Sequence, residues 1–169
     1  TIAESEHPFT INYNNKDVRI TTHYFEDSLL PSMSSVIHEG GHAIFEQGVD
    51  EQYENTALTE INFLGLHESQ SRFFENILGR NINFWRPIYI KLGEYMPQFK
   101  QISLEDFYRE INHVAPGFIR IDSDEVSYSL HIILRYEMEK AIFRDGVEAK
   151  DLPKLWNDKM EELLGIRPE

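Results

Sequence analysis

His38, Glu39 and His42 fall within one five-residue run, His38-Glu39-Gly40-Gly41-His42. Those residue types at that spacing suit the binding of a metal ion and the activation of water. Positions four apart on an α-helix lie on one face, about one turn apart. Two imidazole nitrogens can therefore reach one tetrahedral zinc ion at roughly 2.0–2.1 Å. Glu39, one position on, reaches past the ion toward a water, which is the place of a general base. The bland alternative is a surface helix that carries two incidental histidines. Gly40 and Gly41 count against it: each costs about 1 kcal/mol in a helix interior, so something there calls for small residues.

A zinc site needs a third protein ligand, and one class of zinc peptidases takes a glutamate from the next helix downstream. The candidates are Glu60, His67, Glu68 and Glu75. Glu68 lies near the middle of a helix expected over about 64–78. Ser69, Gln70, Ser71 and Arg72 form a polar cluster beside it, among the core-seeking Leu64, Leu66, Phe73, Phe74 and Ile77. Glu68 is taken as the ligand. For His67 two readings stand, support of the site or a buried structural histidine. A His-His-Glu set also accepts cobalt or manganese.

These residues need elements to position them. Phe9 to Tyr13 and Val18 to Tyr24 alternate, with turn chemistry in Asn14-Asn15-Lys16-Asp17, which predicts a β-hairpin. From Pro31 the period becomes helical: Met33, Val36, Ile37, Ala43 and Ile44 share adjoining faces, and Gly48 is a plausible C-cap. Further helices are expected over about 84–95, after Ser103, over about 123–143, and from Asp151-Leu152-Pro153 to Gly165. The fold class is mainly α, packed helices with a small β element, in a single domain spanning 1–169.

The 169 residues are 41% hydrophobic and 27% charged, a globular balance. The formal net charge of −13 opposes binding to a phosphate backbone, so nucleic acid is not expected as a partner. No apolar run reaches the roughly 18 residues of a membrane span. There are no cysteines, which excludes disulfides, thiolate zinc sites and cysteine nucleophiles and fits a cytosolic protein. The N-terminus lacks the regions of a signal peptide and a starting methionine, so a processed or excised chain is expected.

Five short motifs, in order, resemble the carboxypeptidase Taq family of metallocarboxypeptidases. His7-Pro8-Phe9 is similar to its His-Pro-Phe signature, and Asp17-Val18-Arg19-Ile20-Thr21 to its Asp-x-Arg-x-Thr signature. His38 to His42 is the zinc helix. His67-Glu68-Ser69-Gln70 resembles the segment that supplies the glutamate ligand, and Ile119 to Asp124 the Ile-Arg-x-x-Ala/Ser-Asp signature. The resemblance implies packed helices with a small sheet bordering the active-site groove. It also implies a cytosolic, dimeric zinc enzyme that removes single residues from peptide C-termini with broad specificity. Carried over by motif, His38, His42 and Glu68 are ligands and Glu39 is the base. The family's domain is longer, so the chain is expected to be the central portion of a larger enzyme. His23 stands where the family pattern has arginine.

The chemistry implied is metal-assisted peptide hydrolysis, with Glu39 moving the proton from water to the leaving amine. A carboxypeptidase must also read a free carboxylate, for which the planar fork of arginine is suited. Among the arginines Arg120 is favoured, and for it two readings stand, this role or a structural ion pair with Asp122, Asp124 or Glu125. Arg19 shares a strand face with Asp17 and Thr21, either bordering the groove or forming a cross-strand polar face. Asp124 is a partner behind the site or a helix N-cap. A related zinc endopeptidase, or a metal-binding helical domain without catalysis, are the alternative functions.

Overall fold

The two alternating segments near the N-terminus fold back on each other through Asn14, whose side-chain oxygen accepts from the backbone N–H of Lys16 at 2.9 Å and of Asp17 at 3.0 Å. The computed structural model describes residues 2–59 and 64–168. In it strands β2 (Thr10–Asn14) and β3 (Asp17–Thr22) pair antiparallel, with Ile11 opposite Arg19 and Asn12 opposite Val18. A third strand that alternation did not predict, β1 (Ile2–Glu4), joins β3 in parallel and gives the order β1-β3-β2. It is three exposed residues long and carries no periodic signal. Val18 and Thr22 are buried on one face of β3, and the Thr22 hydroxyl meets Ser32 and Ser35 of the following helix at 3.4–3.5 Å.

That helix, α1 (Leu29–Gln47), begins two residues before Pro31, after an extended Ser28. Proline is tolerated in a first turn because its missing N–H would have no partner there. Gly48 closes α1 in a right-handed conformation, so its freedom at positive φ is not what ends the helix. The second helix, α2 (Leu64–Arg72), runs on into a π-helical turn over Phe73–Leu78, closed by the Gly79 N–H on the Phe74 carbonyl at 2.8 Å. One helix was expected over about 84–95. The chain forms two instead, α3 (Ile82–Trp85) and α4 (Tyr89–Tyr95), with Pro87 between them removing a backbone donor. After Ser103, whose hydroxyl accepts from Asp106 N–H at 3.0 Å, comes α5 (Leu104–Ile111).

Trp85, Phe107 and Ile111 form a buried cluster against Leu30 and Met33 of α1. Each such side chain contributes about 1.5–3 kcal/mol by leaving water, so this cluster holds the start of α1. The indole N–H of Trp85 donates to the Gly79 carbonyl at 2.6 Å and so ties the end of the π turn to the same cluster.

The chain divides into two compact units, the first ending at Ile111 and the second beginning at Asn112. In the second, α6 (Glu125–Phe143) packs on α7 (Leu152–Leu164) through Leu134, Met138, Met160 and Leu164. Asp124 caps α6, and Gly165 ends α7 at φ 70°, the left-handed conformation that favours glycine. No described helix is long and apolar enough to cross a membrane.

Candidate metal centre

α1 and α2 approach closely because Gly41 has no side chain. A Cβ placed on Gly41 would lie 2.8 Å from the Cα of Ser71 and 3.2 Å from the Gln70 carbonyl oxygen. This contact sets Glu68, three residues before Ser71, against the histidines of α1. Oε2 of Glu68 lies 3.5 Å from His38 Nε2 and 3.4 Å from His42 Nε2. One donor atom from each of the three residues falls within 4.8 Å of the others. Ligand atoms at about 2.0–2.1 Å from a tetrahedral zinc ion stand about 3.3–3.4 Å apart. The carboxylate–imidazole spacings and the donor types therefore fit a single divalent metal ion.

The outward nitrogens of both imidazoles are also engaged. Nδ1 of His38 lies 2.8 Å from Glu75 Oε2. Glu75, weighed from sequence as a third ligand, thus sits behind His38, and Glu68 is the acid that meets both Nε2 atoms. Glu60, the remaining acidic candidate, lies outside the described residues. Arg72 joins the two acids, with Nε 3.0 Å from Glu68 Oε1 and Nη1 2.9 Å from Glu75 Oε2. His67 lies behind the other histidine: its Nδ1 is 2.5 Å from His42 Nδ1, and its Nε2 is 2.5 Å from Glu46 Oε1. Burial disfavours charge on His38, yet its bonds to Glu68 and Glu75 raise its pKa to about 9. Burial alone would raise the pKa of Glu68. Its bonds to His38 and His42 instead hold it well below the usual carboxylate range. The pocket is therefore built to hold positive charge between carboxylates.

Glu39 is buried at 7% exposure, an unusual place for a carboxylate. The hydroxyl of Thr10 on β2 donates to its Oε2 at 2.6 Å and also lies 3.1 Å from its backbone carbonyl. Sequence reasoning did not single out Thr10. The available signal was alternation on the hairpin, which puts Thr10 and Asn12 on one face of β2. Thr10 meets Glu39 of α1, and the amide of Asn12 donates to Glu46 in the last turn of the same helix.

The model of the carboxypeptidase Taq (M32) metallopeptidases matches residues 1–169. The chain belongs to this family. It is 52% identical over 169 residues to carboxypeptidase 1 of Bacillus subtilis, covering 99% of this chain and 34% of that protein. Over 164 residues it is 46% identical to thermostable carboxypeptidase 1 of Pyrococcus furiosus, covering 97% of this chain and 33% of the relative. Superposed on a solved structure of a P. furiosus carboxypeptidase it gives a TM-score of 0.96 at 44% identity, covering 100% of this chain and 34% of that one. The chain thus spans about a third of the length of the curated relatives it matches.

The remaining motif residues of this M32 chain are placed as follows. Arg19 is about half exposed and is held by Asp17 through two bonds of 2.8 and 2.7 Å, with its guanidinium 4.9 Å from the Tyr13 ring. It lies on the face of β3 opposite the buried Val18 and Thr22. Thr21, on the Arg19 face, bonds Ser5 Oγ at 2.7 Å and Phe9 N–H at 3.0 Å within the sheet. His7 is exposed; its ring Nδ1 lies 2.6 Å from the Pro8 carbonyl, and its own carbonyl accepts from Ser5 Oγ at 2.7 Å. His23 bonds the Ser5 carbonyl at 3.2 Å and packs edge-on against Phe25. Arg120 and Asp124 belong to the second unit. Arg120 Nη1 donates to the Tyr128 hydroxyl at 2.8 Å, and among the described residues it makes no ion pair. Asp124 accepts from the N–H groups of Val126 and Ser127 at 2.8 Å and of Ala115 at 3.1 Å, which makes it the N-cap of α6. His131, not noticed from sequence, is fully buried with Nε2 3.0 Å from the Gly117 carbonyl.

Proposed function

We propose that this chain is the metal-binding portion of a zinc-dependent metallocarboxypeptidase that hydrolyses the C-terminal peptide bond of peptides with broad specificity. One observation carries this reading: Glu68 Oε2 lies 3.4–3.5 Å from the Nε2 atoms of both His38 and His42, with Glu39 on the same helix as the two histidines. His38, His42 and Glu68 are the residues to hold one ion. Zinc best matches the donor set, and cobalt or manganese are workable substitutes. When bound, the ion supplies Lewis acidity and lowers the pKa of a coordinated water.

Glu39 is the proton carrier, accepting a proton from the attacking water and delivering it to the leaving nitrogen. The Thr10 hydroxyl on its Oε2 restricts the carboxylate to one orientation and leaves Oε1 for the water. Arg120 is the reader of the substrate's free carboxylate. It has no carboxylate partner among the described residues, whereas Arg19 is already occupied by Asp17 and Arg72 by two glutamates. His67 supports His42, and Asp124 serves Arg120 indirectly by fixing the start of α6. A cytoplasmic location and a homodimeric full-length enzyme belong to the same proposal and rest on the family resemblance.

The test compares peptides with free and amidated C-termini, incubated with the zinc-loaded chain and with Glu39→Gln. Release of single residues from free ends alone, lost in Glu39→Gln, supports the carboxypeptidase. Internal cleavage of amidated peptides would make it an endopeptidase. Zinc binding without release by either protein would leave a metal-binding portion with no activity of its own, a reading favoured by the chain's coverage of a third of its relatives.

A further inference from the structure

We propose that His67 and Glu46 form an outer relay that fixes the tautomer and orientation of His42, which makes Glu46 a positioning residue for the metal centre. This rests on the reading of His38, His42 and Glu68 as ligands.

The protons in this chain of contacts can be assigned in order. His42 turns Nε2 toward Glu68 at 3.4 Å, so as a ligand it keeps a lone pair on that nitrogen and carries its proton on Nδ1. That N–H points at His67 Nδ1, 2.5 Å away, which must then be the bare, accepting nitrogen. The proton of His67 is left on Nε2, where it donates to Glu46 Oε1 at 2.5 Å. The other oxygen of Glu46 accepts from the Asn12 amide of β2. Each polar atom has one role, and reversing His67 would set two N–H groups against each other.

Two further observations favour a role beyond packing. Glu46 lies in the last turn of α1, next to the final residue Gln47. A negative charge there is opposed by the helix dipole, so its position needs a compensating partner. The side chains of His67 and Glu46 are only 18% and 19% exposed, so water screens their interaction poorly. The ring of His67 is also held by packing, with centroids 4.6 Å from His42 and 4.9 Å from Phe45. The two histidines of α1 are thus backed differently, His38 by a carboxylate directly and His42 by a carboxylate across a second imidazole. Glu75 also holds Arg72, and through it Glu68. Glu46 touches neither, so its removal leaves the backing of His38 and Glu68 intact and breaks only the relay and the Asn12 contact.

The experiment measures zinc affinity by competition with a chromophoric chelator for the unmodified chain, Glu46→Ala and Glu46→Gln. Cobalt absorption spectra and 15N NMR of the histidines accompany it. Outer partners of metal-bound histidines are typically worth 10–100-fold in affinity. Glu46→Ala is expected to weaken zinc binding by about that factor and to shift the cobalt spectrum. Glu46→Gln, whose amide oxygen can still accept from His67, should lose less. In the zinc-loaded unmodified chain His67 should carry its proton on Nε2. Equal affinities with unchanged cobalt spectra, or a His67 protonated on Nδ1, would overturn the relay while leaving the metal centre standing. Should Glu46→Ala fail to fold, Glu46→Gln and the tautomer of the unmodified chain decide. An unmodified chain that binds no zinc would overturn the metal centre and the relay together.

Discussion

Adding one methyl group at Gly41 should weaken metal binding, although it touches no ligand. In an isolated helix Gly→Ala is stabilising by about 1 kcal/mol. At Gly41 the new Cβ would stand 2.8 Å from the Cα of Ser71, where ordinary contact begins at 3.4 Å. Both atoms belong to backbone or are fixed to it, so a rotamer change cannot relieve the overlap. The helices must part by roughly 0.6 Å or more. Ser71 is bonded through its hydroxyl to the Glu68 carbonyl at 2.8 Å, so Glu68 moves with it. Metal sites tolerate about 0.2 Å in ligand distance. Gly41→Ala should therefore lose tenfold or more in zinc affinity. Overpacking of about 1–3 kcal/mol, set against the gain in helix propensity, leaves it up to about 2 kcal/mol less stable. Gly40→Ala is the control: its Cβ meets nothing within 4 Å, so stability should rise by up to about 1 kcal/mol with zinc affinity unchanged. Chelator competition and urea unfolding of both variants measure these effects. A Gly41→Ala chain that binds zinc as tightly as the unmodified one would refute the close contact as the device that places Glu68.

Thr10→Val removes the hydroxyl on Glu39 at nearly constant volume. Bonds to charged groups are worth about 1.5–3 kcal/mol, so kcat for release of a C-terminal residue should fall by about tenfold or more with KM and zinc affinity little changed. Zinc must displace the proton that His38 holds with a pKa of about 9. Zinc affinity should then fall about tenfold per pH unit below that value, as titration across pH 6–9 would show. Without metal, the raised His38 pKa contributes stability that is present below its ordinary 6.5 and lost as pH rises through about 9. The lowered Glu68 pKa contributes stability that is present above its ordinary 4.5 and lost as pH falls below it. The contribution of this pair to the stability of the metal-free protein should therefore peak between 4.5 and 6.5, which thermal melts across pH would reveal. Trp85→Phe leaves the Gly79 carbonyl without its 2.6 Å donor and should destabilise the first unit by about 1–3 kcal/mol in urea.

What was legible in the sequence is what depends on short spacing. The i, i+4 histidines, the alternation of the hairpin and the caps at Ser103, Asp124 and Gly165 are local signals, and the structure forms each element they mark. Glu68 was reachable because a polar cluster on an apolar helix is also local. The break at Pro87 was present in the sequence, but the helix expected over about 84–95 ran through it. The π turn over Phe73–Leu78 has no comparable sequence signature. The partners of the site were harder to see because they lie far apart along the chain. Thr10 reaches Glu39 across 29 residues and Asn12 reaches Glu46 across 34, and both pairings depend on how the hairpin packs on α1. Glu75 illustrates the ambiguity of helical spacing. It shares a stripe with Glu68 and Arg72, so sequence alone could not separate the acid that meets both Nε2 atoms from the acid behind His38.

The central claim is that His38, His42 and Glu68 together hold one metal ion. The most direct test is zinc stoichiometry and X-ray absorption of the chain beside His42→Ala and Glu68→Ala, after loading and dialysis. The account predicts one equivalent of zinc bound by two imidazole nitrogens and a carboxylate oxygen at about 2.0–2.2 Å, with the ion lost or greatly weakened in both variants. A chain that retains no zinc, or a Glu68→Ala variant that holds it with an unchanged coordination shell, would contradict it.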